Sequence, residues 1–115
     1  MLRGDIHLIN LDPVFGSEAN KQRPAVVVSN DRANAAARRL GRGVVTVVPV
    51  TSNVSRVHPF QTLLPAVRTG LRRDSKAQAE QIRSVSVERV GPALGHVPAD
   101  LLAQLDDAIR IQLDL

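Results

Sequence analysis

The sequence predicts a small, mainly β barrel with one short internal helix and a C-terminal α-helix, in a single domain over residues 1–115. Three observations carry this. Two β-branched runs, Val26-Val27-Val28 and Val44-Val45-Thr46-Val47-Val48, fit the pleated, buried surface of core strands. Short apolar segments are separated by turn residues at close spacing. Neither a βαβ rhythm nor a glycine-rich phosphate fingerprint is present, which argues against a parallel α/β sheet.

In chain order, residues 3–11 alternate as a half-buried strand, with Ile6 and Leu8 on one face and Asp5, His7 and Ile9 on the other. Asp12-Pro13-Val14-Phe15-Gly16 carries turn residues and opens a polar loop. The loop runs through Glu18, Lys21 and Arg23 into a strand over residues 24–29, whose start Pro24 marks because it cannot donate to a central ladder. Asn30-Asp31 offers an N-cap for a short Ala/Arg helix over 32–40, ended by Gly41. Residues 44–50 form the second core strand, weakened near its end by Pro49. A polar loop, 51–59, leads to a short strand over 60–64 that Pro65 closes, and 68–74 is basic and broken by Gly70.

Residues 75–87 are ambiguous, because Ala77 and Ala79 alternate with Gln78 and Glu80 although Ala, Gln and Glu favour helix. They are taken as a fifth strand. Pro98 suits the first turn of a terminal helix, Asp100 complements its dipole, and Leu101, Leu105, Ala108, Ile109 and Leu113 form one apolar stripe.

Composition narrows the function. No apolar run approaches the ~20 residues that span a bilayer, and Met1-Leu2-Arg3-Gly4-Asp5 opens no signal-length apolar segment. A cytoplasmic location without membrane contact is therefore the expectation. Zero cysteines remove thiolate chemistry, and His7, His58 and His96 lack metal-ligand spacing, so neither a metal nor another cofactor is expected. The net charge of +4 is uneven. Residues 1–89 hold 14 Lys/Arg against 7 Asp/Glu, whereas 90–115 hold one against four. Thirteen of the 15 cations are arginine, whose planar fork grips phosphate bidentately, and this leans toward nucleic acid.

The candidate chemistry is local. Arg23 sits where a loop meets a core strand, so its backbone is fixed while its guanidinium can face a cleft; a surface arginine packing its stem on the barrel fits the position too. Thr51 ends the other core strand, where a turn bond to Ser52 or Asn53 is the commoner role for such a hydroxyl. Glu18 suits an orienting group or base, although loop carboxylates are usually solvated. His58 suits proton transfer, although lone loop histidines are more often incidental. Phe60 reads as core, and Phe15 as the base contact of a chain with only two aromatics.

Together the residues form an ordered pattern. Arg3-Gly4-Asp5-Ile6, Leu11-Asp12-Pro13, Gly16-Ser17-Glu18, Lys21-Gln22-Arg23-Pro24-Ala25-Val26-Val27-Val28-Ser29, Pro49-Val50-Thr51-Ser52 and Gly70-Leu71 resemble the MazF/PemK (Kid) toxin family over nearly the whole chain. The resemblance implies an SH3-like, CcdB/PemK-like barrel, usually a homodimer, and metal-independent, sequence-specific cleavage of single-stranded RNA. It also implies growth arrest unless a MazE-like antitoxin wraps the toxin. The substrate would be messenger RNA, with ribosomal or transfer RNA as further candidates.

On this resemblance Arg23 and Thr51 take the catalytic positions, with Glu18 and His58 as catalytic or orienting candidates. RNA contacts would come from Phe15, Lys21, Ser52, Arg56 and Arg72. His7 departs from the aromatic that many relatives carry, which bears on base preference. The CcdB branch of the same fold, which poisons DNA gyrase through its terminal helix, is the second expectation. Arg23 with Thr51, and a C-terminus without aromatics, argue against it.

Overall fold

The computed structural model describes residues 1–11 and 22–115. Among the described residues, seven strands form one antiparallel sheet: β1 (Asp5–Asn10), β2 (Gln22–Val27), β3 (Val44–Thr51), β4 (Gln61–Leu64), β5 (Ser75–Gln78), β6 (Arg83–Ser86) and β7 (Val90–His96). Their order is β4-β5-β3-β2-β1-β7, with β6 also paired to β3. The described residues also hold three α-helices: α1 (Asp31–Leu40), the single turn α2 (Ala66–Thr69), and α3 (Ala99–Leu113).

The sheet has a core on each face. Ile6, Val26, Val48 and Val50 pack with Leu64, Val97 and the α3 residues Leu101, Leu105 and Ala108. Ile9, Ala25, Val27, Val45 and Val47 pack on the other face with Val85 and with Ala37 of α1. Successive residues of a strand point to opposite faces, so a strand apolar at every position needs cover on both. β1 is therefore not the half-buried strand its alternation predicts: Ile6 and Ile9 are both fully buried, and His7 is buried between them in sequence.

The predicted helix and its stops are observed. Asn30 accepts a hydrogen bond from the Ala33 N–H at 2.8 Å, and Gly41 closes α1 in the left-handed conformation at φ 65°. The terminal stripe is buried at Leu101, Leu105 and Ala108 but not at Leu113, which is 48% exposed beyond the edge of the sheet contact.

Residues 75–87 are two strands, not one. β3 pairs Val47 with Arg83 and next pairs Val50 with Ala77, so its flanking ladder is interrupted at Val48 and Pro49. Pro49 has no N–H to donate, and a 3₁₀ turn at Ala79–Gln81 spans the gap. β7 and α2 carry no sequence signal. β7 holds two glycines and a proline, and its glycines admit close backbone approach: a Cβ on Gly91 would lie 2.7 Å from the Leu8 carbonyl oxygen, and one on Gly95 2.0 Å from that of Thr69. No helix among the described residues is long and apolar enough to cross a membrane.

Candidate active site

β2 and β3 bring the two leading candidates together. Their register pairs Val27 with Val47, Val26 with Val48 and Ala25 with Pro49. Two residues further along each strand stand Arg23 and Thr51, on the sheet face that carries Ala25 and Val27. Arg23 is exposed and lines a cleft of about 280 Å³ with Leu11, Pro49, Gln78, Gln81 and Arg83. No ion pair among the described residues includes Arg23. Arg83 is committed to the scaffold, donating to the Leu11 carbonyl at 2.6 Å. The cleft thus offers two guanidinium groups and two amides, a donor-rich lining that suits an anion.

Thr51 is half-buried, and its Oγ1 accepts the Asn53 N–H at 3.2 Å. This is the turn bond expected of such a threonine. It uses one lone pair, so the hydroxyl hydrogen and the second lone pair are left for another partner. Thr51 also pairs with Lys76 of β5.

The remaining candidates divide between the faces. Ser52 and Arg72 line a second, larger cleft of about 580 Å³ with Leu8, Pro24, Leu71, Arg73 and Leu94. Arg23 and Pro24 are consecutive, so this cleft opens on the opposite side of the same strand end. Arg56 is exposed in the loop after β3, and its carbonyl accepts the Lys76 ammonium at 2.5 Å. His58 lines neither cleft. Its ring stacks on Phe60 at 5.0 Å, with 3° between planes, and its N–H donates to Gln61 Oε1 at 3.1 Å. Phe60, expected in the core, is half-buried and belongs to neither apolar cluster. Phe15, Glu18 and Lys21 lie outside the described residues.

Sequence reasoning missed Gln78, Gln81, Arg83 and Lys76. Each sits in the stretch whose Ala, Gln and Glu content gave conflicting propensities, and the 3₁₀ turn that aims Gln81 at the Arg23 cleft has no local signature. Shifted proton affinities are found away from both clefts. Burial raises the Asp5 carboxyl, but the Leu2 N–H and His96 outweigh it and hold Asp5 below its ordinary value. The two-pronged hydrogen bond from Arg68 lowers Asp100 and raises Arg68 in turn. Among the described residues no group of three or more His, Asp or Glu is placed to hold a metal ion.

Comparison with known proteins gives a consistent picture. Residues 2–113 match the family described as PemK-like, MazF-like toxins of type II toxin-antitoxin systems. The chain is 65% identical over 115 residues to endoribonuclease MazF9 of Mycobacterium tuberculosis, covering all of this chain and 98% of the relative. It is 32% identical over 114 residues to endoribonuclease EndoA of Bacillus subtilis, covering 98% and 94% of the two chains. Among solved structures, MazF in a MazE–MazF crystal from Deinococcus radiodurans superposes with a TM-score of 0.79 at 28% identity, covering all of this chain and 96% of that one. With the fold and these matches in agreement, the chain belongs to the PemK/MazF family of type II toxin-antitoxin toxins.

Proposed function

We propose that the chain cleaves single-stranded RNA by internal transesterification in the cleft that Arg23 lines. That it is an endoribonuclease follows from its family and from the activity its relatives are named for. The observation that supports the chemical reading is that β2 and β3, which pair, carry Arg23 and Thr51 at adjoining ends, with Arg23 lining a cleft beside Gln78, Gln81 and Arg83.

RNA carries its own nucleophile. Attack of a 2′-OH on the adjacent phosphorus forms a P–O bond and breaks the P–O5′ bond, leaving a 2′,3′-cyclic phosphate and a 5′-hydroxyl. The enzyme must remove the 2′ proton, stabilise charge on the phosphorane and protonate the departing 5′ oxygen. A guanidinium is a poor base, because it stays protonated and charged throughout the working pH range. Arg23 therefore stabilises the phosphorane and supports leaving-group protonation. Thr51, with a hydroxyl hydrogen still available, orients a phosphate oxygen or the 2′-OH. None of these roles requires a metal. The toxin acts as a homodimer and is silenced by a cognate MazE-like antitoxin; a solved MazE–MazF complex from Deinococcus radiodurans supports such a partnership. The gyrase-poison reading is not favoured, since the matching family is that of PemK- and MazF-like toxins.

Incubation of a defined RNA in EDTA, with both product ends mapped, tests this. Cuts that resist EDTA and leave 5′-hydroxyl ends are expected, with Arg23→Ala slower by about 100-fold or more while remaining folded. Cleavage that EDTA abolishes, or full activity in Arg23→Ala, would defeat the mechanism.

A further inference from the structure

Lys76 is an unusual core residue. It is only 8% exposed, and no ion pair among the described residues includes it. Burying an ammonium without a carboxylate is costly, so an apolar side chain would serve stability better. Its Nζ instead donates to the Arg56 carbonyl at 2.5 Å, across the loop that follows β3.

That loop is tied back to Thr51 bond by bond. Ser55, next to Arg56, donates its N–H and its hydroxyl to Asn53 Oδ1, at 3.3 and 2.8 Å. Asn53 in turn donates its backbone N–H to Thr51 Oγ1, while its side chain holds Ser55. Lys76 also stands directly opposite Thr51 in the β3–β5 ladder, and directly opposite residues of antiparallel strands share a face. The chain of contacts therefore closes on itself: strand partner, ammonium, loop carbonyl, asparagine, threonine hydroxyl.

We infer that Lys76 is a positioning residue of the RNA-cleaving site, holding the loop from Ser52 to Arg56 so that the Asn53 N–H fixes the orientation of the Thr51 hydroxyl. The inference rests on the role proposed for Thr51. A hydroxyl released from this bond rotates among its staggered positions, and misplacement of a reacting group lowers the chemical rate more than binding.

The test compares Lys76→Met and Asn53→Ala, each alone and in a Thr51→Ala background, under single-turnover conditions in which residual Arg23-dependent cleavage is measurable. Each single variant should lose about 10-fold in kcat, with KM within about 2-fold, and neither should slow Thr51→Ala further. In Lys76→Met the Asn53 amide resonance should move while that of Val48, in the β3 core, stays; a lysine that merely supports the fold would disturb both. Asn53 is exposed, so Asn53→Ala tests the loop tether on its own, and Lys76→Gln, which is too short to reach the Arg56 carbonyl in the same way, reads the lysine if Lys76→Met fails to fold. Unchanged kcat in Asn53→Ala, or losses that add to that of Thr51→Ala, would overturn the inference and leave the cleavage mechanism intact. Full activity in Thr51→Ala would remove both the proposed role of Thr51 and this inference.

Discussion

Thr51 shows why single positions resist a choice between structural and chemical roles. By position its commoner role is a turn bond to the next residues, and that bond exists, yet it occupies only one of the hydroxyl's two acceptor lone pairs and leaves its donor hydrogen. Arg23 was legible in the same partial way: its place at a loop–strand junction was clear, but the strand that carries Thr51 toward the same end of the sheet lies further along the chain and its register is not local. Lys76 was not legible at all, because burial of a lysine depends on a loop that folds over it. Gly95 is a further position whose constraint lies in tertiary contact. An added methyl would stand 2.0 Å from the Thr69 carbonyl oxygen, a backbone atom that cannot rotate aside. Gly95→Ala should therefore destabilise by about 3 kcal/mol, the upper range for overpacking, measured as a lowered urea midpoint with an unchanged m-value.

At the level of elements, those with local stop and start chemistry were the ones the sequence predicted. α1 has an asparagine cap and a glycine stop, and both work as expected. A helix of 10 residues is marginal alone, so Asn30→Ala should cost about 1 kcal/mol and lower the melting temperature by about 4 °C in a thermal scan. The elements that escaped prediction lack such signals. β7 owes its place to β1, against which its pairing shifts register twice, and the Gly-Pro-Ala sequence at its centre favours no strand by itself. The division of residues 75–87 into β5 and β6 follows from the partner they share, since β3 carries the proline that interrupts the ladder. Propensity measured along one segment cannot report a proline in another.

For the whole molecule, three ion pairs among the described residues link parts distant in sequence, and two of them hold a carboxylate whose proton affinity is shifted. Asp5 and His96 join β1 to β7 at 2.8 Å, and Arg68 and Asp100 join α2 to α3. Both carboxylates have lowered proton affinity, so each binds its proton less readily folded than unfolded. The stability they supply is complete above the ordinary aspartate value of 3.8 and is lost as pH falls through the lower folded value. Folding stability should thus decline as pH falls below about 4, and Asp5→Asn should flatten the decline in denaturant titrations across that range.

The prolines of β2 and β3 have a consequence for fidelity of assembly. Because both faces of these strands are apolar, burial alone would tolerate a slip of one residue, which elsewhere is forbidden by the alternation of oily and polar side chains. Pro24 stands opposite Leu8 and Pro49 opposite Ala25, and each lacks a hydrogen to donate. A shifted frame moves these two gaps onto carbonyls that need a donor. It would also turn Arg23 out of its cleft and present Pro24 in its place. The two prolines therefore favour the one alignment of β2 and β3 that leaves Arg23 lining its cleft.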